Sequence, residues 1–225
     1  MFGDNPKRGL LKSNGDVLQV QEIFPTLQGE GPHVGKPAVF LRLGGCNLAC
    51  SFCDTEFEDF KDFKLDNIIS DIEQFSLNSD GQRVRNLVVI TGGEPFRQPI
   101  EKLCDLLIEK NFTVQIETNG TLFREINQKV EIICSPKNEG SGYADIRPDL
   151  LKRINAFKFI ISGDNVDYSS IPEVGQTIYK TPVYIQPMDE YDSNKNHKNL
   201  QLCKKLADQQ GYFLSLQTHK ILDLP

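Results

Sequence analysis

A parallel α/β sheet, open or curled into a partial barrel, is the fold this sequence predicts, and three observations predict it. β-Branched and aromatic runs recur along the chain, segments with helical spacing lie between them, and almost every run ends in a polar or glycine-rich tail. Parallel α/β folds place their active sites at the carboxyl ends of the strands, so these tails are expected to converge on one pocket. Periodicity alone does not separate an open sheet from a partial barrel.

The strand candidates are 17–24 (VLQVQEIF), 38–43 (AVFLRL), 86–91 (NLVVIT), 112–118 (FTVQIET), 130–135 (VEIICS), 156–162 (AFKFIIS), 183–187 (VYIQP) and 212–218 (YFLSLQT). Several are nearly continuous in apolar residues, as expected for strands covered on both faces. Between them, 65–75 sets Leu65, Ile68, Ile69, Ile72 and Phe75 on one helical face. The stretch 100–111 does the same with Ile100, Leu103, Cys104, Leu107 and Ile108, and 198–211 is a third helix, capped by Gly211. The tails are GGCNLAC, TGGEP, ETNG, SPK, SG, QPMDE and QTHK. No repeat, low-complexity tract or break in composition interrupts the pattern, so a single domain over 1–225 is expected.

The chain has 225 residues, enough for a sizeable core, and a formal net charge of -6. An acidic surface repels phosphate, which argues against nucleic acid or an anionic membrane as partner. No apolar run approaches the roughly 18–20 residues of a membrane span. The start, MFGDNPKRGLLKSNGD, has no apolar stretch of the secretory kind. A cytoplasmic protein is expected, and reducing conditions there make a tight cysteine group metal-binding or catalytic rather than disulfide-bonded.

Such a group exists. Of six cysteines, three lie within eight residues, in Gly44-Gly45-Cys46-Asn47-Leu48-Ala49-Cys50-Ser51-Phe52-Cys53-Asp54-Thr55. Thiolates spaced four and three residues apart on one loop can wrap a polynuclear iron–sulfur centre and leave one iron open. A structural zinc site is the competing reading, but it wants four ligands. The three histidines, His33, His197 and His219, are isolated, and no second CxxC exists. Cys104, Cys134 and Cys203 sit in apolar surroundings and read as core.

Cys46, Cys50, Phe52 and Cys53 match the CxxxCxxC signature of the radical S-adenosylmethionine (SAM) superfamily, with its aromatic residue before the last cysteine, and the chain resembles that superfamily. The resemblance implies a partial (β/α) barrel of the radical SAM type, reduced in size. It also implies a [4Fe–4S] cluster on Cys46, Cys50 and Cys53 whose open iron binds SAM and whose electron cleaves it to methionine and a 5′-deoxyadenosyl radical. Thr91-Gly92-Gly93-Glu94-Pro95 fits the superfamily's glycine-rich strand end, which receives the SAM amino group.

A closer resemblance runs through 22–57, VVITGGEP (88–95), QIETNGT (115–121), SPK (135–137), KFIISG (158–163), IQPMD (185–189) and LQTHKILDLP (216–225). These stretches are similar to the 7-carboxy-7-deazaguanine synthase family. Its members convert 6-carboxy-5,6,7,8-tetrahydropterin to 7-carboxy-7-deazaguanine with loss of ammonia, toward 7-deazapurines including queuosine. The resemblance implies a homodimer, an electron donor that the sequence does not identify, and Mg²⁺ held by Thr55. It makes Phe52, Cys53, Asp54, Gly93, Glu117, Ser135, Pro136, Lys137, Gln186, Pro187, Met188 and Asp189 the SAM contacts. Leu27, Gln28, Gly29, Arg42, Thr91 and the carboxylate of Pro225 become the contacts of the carboxypterin substrate. Residue chemistry agrees in part, since Arg42 can grip a carboxylate bidentately, although a surface ion pair is the alternative. Without the family pattern, Thr55 reads as a turn or N-cap residue and Glu117 as a turn contact. Glu117 and Asn119, at another strand end, are candidates for the ribose of SAM, and His219 and Lys220 are candidate cationic lining. The expected course is hydrogen abstraction at C6, ring contraction, return of the hydrogen with regeneration of SAM, and loss of ammonia.

A glycyl-radical activase uses the same cysteine spacing on a protein substrate, but the LQGEG and QTHK elements favour the synthase. A non-catalytic metal-binding module is the rival from outside the enzymes. Two segments are left without a partner at this level: EFEDFKDFK (56–64), and DEYDSNKNHKN (189–199), a lid or a plain loop.

Overall fold

The nearly continuous apolar strands resolve into an open sheet of nine, ordered β3-β1-β2-β4-β5-β6-β7-β8-β9, in a computed structural model that describes residues 5–138, 140 and 142–224. The strands are β1 (Val17–Leu27), β2 (Pro37–Leu43), β3 (Lys61–Lys64), β4 (Leu87–Gly92), β5 (Thr113–Thr118), β6 (Glu131–Cys134), β7 (Ala156–Ile161), β8 (Val183–Pro187) and β9 (Phe213–Leu214). From β2 onward through β4 to β9 the pairing is parallel, while β1 runs antiparallel to both β2 and β3. The helices are α1 (Leu65–Phe75), α2 (Glu101–Glu109), α3 (Pro148–Leu151), α4 (Ser193–Gln210) and α5 (Thr218–Ile221). The edge is not closed, so the architecture is a partial barrel.

The two faces of the sheet differ, which corrects the expectation of cover on both. Val39, Leu41, Val88, Ile90, Val114, Ile116, Phe157, Phe159, Val183 and Ile185 point to the helical side and form one core. There they meet Ile68, Ile69 and Ile72 of α1, Leu103, Cys104 and Leu107 of α2, and Cys203 of α4. Alternate positions, Phe40, Arg42, Thr91, Glu117, Lys158, Ile160 and Gln186, line a cavity on the concave side. A pleated strand sends successive side chains to opposite faces, so each strand supplies both core and site. Beneath the cavity, Ala38, Leu87 and Val89 pack with Phe40 as a small apolar floor.

Both unassigned segments find partners. Residues 56–64 bury Phe57 and add β3 to the antiparallel edge. The charged stretch 189–199 opens α4, whose N-cap Asp192 accepts hydrogen bonds from the amides of Asn194 (2.9 Å) and Lys195 (3.0 Å). Asn199, fully buried on α4, receives the amide of Gly163 (2.7 Å) and donates to the carbonyl of Met188 (2.9 Å). One helix residue thereby ties the tails of β7 and β8 together.

Candidate functional site

The strand tails meet around a cavity of about 400 Å³ at the carboxyl ends of the parallel strands. On one wall stand Cys46, Cys50 and Cys53, thiols outside any disulfide, on the loop after β2. The loop is held tightly. Glycine is required at Gly93 because a Cβ there would lie 2.0 Å from the carbonyl oxygen of Gly45. The amide of Glu94 donates to that same carbonyl (3.0 Å), and the amide of Gly93 to that of Leu43 (3.1 Å). TGGEP thus fastens the head of the cysteine loop to the end of β4.

Glu94 itself is fully buried. Its carboxylate accepts from the amide of Phe96 (3.0 Å), the hydroxyl of Thr118 (2.8 Å) and the amide of Asn119 (2.8 Å). Burial pushes its carboxyl up to about 7 against those three donors. Asn119 in turn donates to Asn47 Oδ1 (3.0 Å), and Asn47 to Thr121 (2.8 Å), so the end of β5 also braces the loop. Asn119 Nδ2 lies 3.9 Å from Cys46 Sγ. Burial, with the charge of Glu94, pushes the Cys46 thiol up to about 12, and burial raises Cys53 too. These thiols ionise only when a cation compensates them, so cluster assembly must release protons.

The opposite side of the cavity is built by the turn after β1 and the segment after β9. Gly29 accepts from the amide (3.0 Å) and hydroxyl (3.1 Å) of Thr218, and Gly31 donates to Ser215 Oγ (2.9 Å). A Cβ on Gly29 would lie 2.2 Å from His219 Nδ1, so glycine is what lets LQGEG and QTHK pack together. Lys158, buried at 4% exposure, ion-pairs with Glu30 and with Glu117 (2.7 Å). Glu117 also accepts from Gln28 (3.1 Å) and Gln115 (3.1 Å), while Glu30 accepts from Gln186 (3.0 Å) and Gln217 (3.1 Å). Burial alone would raise Glu30, but the charge of Lys158 outweighs it and holds the carboxyl well below its ordinary range. At the rim, Lys220 bridges Asp54 and Asp189, each at 2.9 Å, with Tyr191 beneath its ammonium.

Most residues singled out from the sequence come together here. Leu27, Gln28, Gly29, Arg42, Thr91, the cysteine loop from Phe52 to Thr55, Gly93, Glu117, Asn119, Ser135, Lys137, Gln186 through Asp189, His219 and Lys220 all line the cavity. Pro136 is buried and does not. Pro225 lies outside the described residues. Glu117 is no turn contact: it stands inside β5, on the concave face, as part of the Lys158 network. Arg42 lines the cavity and ion-pairs with Glu22 through Nε (2.6 Å). No helix begins at Thr55, which excludes the N-cap reading; its hydroxyl donates to Asp54 Oδ1 at 3.3 Å. Lys137 turns its ammonium back onto Ser135 O (2.8 Å) and Ser135 Oγ (2.6 Å). Glu30 and Lys158 are not among the residues singled out from the sequence, because Lys158 is one polar residue in an apolar run and Glu30 lies in a turn with no periodic signal.

The donor set fits a cluster. Three thiols outside any disulfide face one cavity, and among the described residues no His, Cys, Asp or Glu group would hold a single metal ion. Three sulfurs without a fourth protein ligand suit a cubane with one open iron and do not suit structural zinc.

Known proteins agree with this geometry. The profile of the Radical SAM superfamily matches residues 41–138. A 7-carboxy-7-deazaguanine synthase from Rickettsia prowazekii is 57% identical over 224 residues, covering 100% of this chain and 96% of that protein. One from Rhodospirillum rubrum is 38% identical, with 100% of each chain covered. The crystal structure of QueE from Escherichia coli superposes with a TM-score of 0.68 at 26% identity, covering 89% of this chain and 93% of that one. Radical SAM proteins employ a [4Fe–4S] cluster and SAM, and the thiols and the cavity described above are what both require. Similarity that spans the full chain, together with three thiols on a strand-end cavity, makes this protein a member of the 7-carboxy-7-deazaguanine synthase family of radical SAM enzymes.

Proposed function

We propose that this protein converts 6-carboxy-5,6,7,8-tetrahydropterin to 7-carboxy-7-deazaguanine with loss of ammonia, as a single-domain cytoplasmic homodimer serving 7-deazapurine biosynthesis. The observation that carries the reading is the shared cavity, where the cysteine loop faces a rank of hydrogen-bonding side chains suited to a flat, polar, carboxylated ring. When bound, the cluster and SAM supply the hydrogen abstraction that starts the ring contraction.

The chain's own residues do the rest. Arg42, already partnered through Nε by Glu22, keeps its terminal nitrogens for the substrate carboxylate. Gln28, Thr91 and the Leu27–Gly29 backbone read the ring edge. For SAM, Glu117 supplies an acceptor anchored by Lys158. SAM is held by Phe52 through Asp54, the Gly93 backbone, Ser135 and Lys137, and Gln186 through Asp189. Thr55 places a hydroxyl for Mg²⁺, an ion that retains waters and takes oxygens from its substrate. Lys220, clasping Asp54 and Asp189, narrows the rim and keeps water and oxidant from the reacting carbon.

Anaerobic turnover of the carboxypterin with SAM and reductant, followed by mass detection of ammonia loss, tests the proposal. Product is expected, with faster turnover in Mg²⁺ and a smaller magnesium effect in Thr55→Val. SAM cleavage without consumption of the pterin would refute the substrate assignment. Equal rates with and without the ion would refute the magnesium site.

A further inference from the structure

Two guanidinium groups flank Gly45, the residue before Cys46. A Cβ on Gly45 would lie 2.8 Å from Arg8 Cδ and 2.9 Å from both Cζ and Nε of Arg97. Their surroundings differ. Arg8 is exposed and ion-paired with Glu58, its Nε donating to Oε2 at 2.8 Å. Arg97 is only 4% exposed, and among the described residues it has no ion-pair partner. Every partner it does have is neutral: Nη2 donates to the carbonyl of Gly44 (2.8 Å) and to Gln19 Oε1, and Nη1 to the carbonyl of Gly9 (3.3 Å). Its Nε is buried with no partner.

A buried cation with only neutral hydrogen-bond partners is costly, and an apolar side chain of similar volume would avoid the cost. The one carboxylate whose charge reaches it, Glu58, is already paired with Arg8. Burial and the nearby Arg8 push the pKa of Arg97 down, yet a guanidinium keeps its charge at any working pH. The missing counter-charge belongs next door. A cubane held by three thiolates is a net anion, and reduction adds to its charge.

Resting on the radical SAM reading above, we propose that Arg97 is the buried counter-charge of the iron–sulfur cluster, raising its reduction potential while fixing the carbonyl of Gly44 at the head of the cysteine loop. A fixed cation stabilises the reduced cluster more than the oxidised one, because the attraction grows with the cluster's charge. Burial protects the effect from salt. Arg97 touches neither substrate nor reacting atoms, so it is a positioning residue. Gln98 assists through the same carbonyl, its Nε2 donating to Gly44 O at 3.2 Å.

The test is an anaerobic redox titration, followed by electron paramagnetic resonance, of the reconstituted full chain and of R97Q and R97K, each with iron and sulfide counted. R97Q is expected to carry a complete cluster and to show, at matched potential, about tenfold less reduced cluster than the unmodified protein. For one electron that is a shift of about 59 mV toward lower potential. R97K keeps the charge and is expected to shift much less. An unchanged midpoint in R97Q overturns the inference, as does a shift in R97K as large as that in R97Q. Should R97Q assemble no cluster, R97K decides alone: a midpoint near the unmodified one supports the role of charge, and a tenfold loss overturns it. If the unmodified chain never assembles a cluster, the radical SAM reading falls and takes this inference with it.

Discussion

Lys158 shows how a single residue on the concave face serves structure and site together. Its ammonium lies between Glu30 and Glu117, so removing it strands two largely buried carboxylates with only amide donors for company. Breaking a buried ion pair from one side typically costs about 3–5 kcal/mol. Lys158→Met is therefore expected to destabilise the fold by about that amount, read as a lower urea midpoint at unchanged slope. Midpoints that coincide would mean the pair is solvated and contributes little. At the cysteine loop the expectation is chemical rather than thermodynamic. Cys50→Ala leaves two thiols for a cluster that needs three, so iron content and SAM cleavage should both fall to background in anaerobically reconstituted protein.

The elements hold the site through close backbone approach more than through side chains. β4 ends in Gly92, and the next residue, Gly93, lies so near Gly45 that a methyl group would meet a carbonyl oxygen at 2.0 Å. Neither partner is a flexible tip, so the strain cannot relax locally. Gly93→Ala is expected to displace the cysteine loop, with cluster content after reconstitution lost while far-UV circular dichroism is retained. A fully loaded Gly93→Ala protein would show that the loop tolerates the shift. Element boundaries were well marked in the sequence where the signal is periodic: 65–75 is α1 to the residue, and 100–111 brackets α2. The start of α4 was not legible, because 189–199 has no apolar face and only the Asp192 cap reveals it. β3 was hidden for a similar reason. KDFK is too short and charged to show alternation, and it exists because β1 offers it an edge to pair with.

Across the whole molecule, the tails of β2, β4, β5 and β6 are tied to one another through Glu94, Asn119 and Ser135, whose amide donates to Thr118 O at 2.8 Å. The pH dependence of the fold should reflect that centre. The folded pKa of Glu94, about 7, lies above its ordinary value of 4.5, so the folded state binds the proton more tightly than the unfolded chain. Its contribution is therefore fully present below pH 4.5 and fades as pH rises through about 7, by up to about 1.4 kcal/mol per pH unit. In cluster-free protein, the melting temperature relative to Glu94→Gln is expected to fall between pH 5 and pH 8. A constant difference would mean that the three donors keep the carboxylate ionised throughout.

By itself the sequence determined the α/β alternation, the convergence of strand tails, the three-thiol loop and the family, because each of these is written in local spacing or in short motifs. Tertiary structure alone decided which strand face is polar, where Lys158 and Glu30 stand, what Arg42 and Lys220 hold, and that Arg97 lies buried behind the cysteine loop. Those facts depend on contacts between residues far apart in the chain, such as Glu30 with Lys158 and Gly44 with Arg97. Partner choice at such distances is set by sheet order and curvature, which no local pattern encodes.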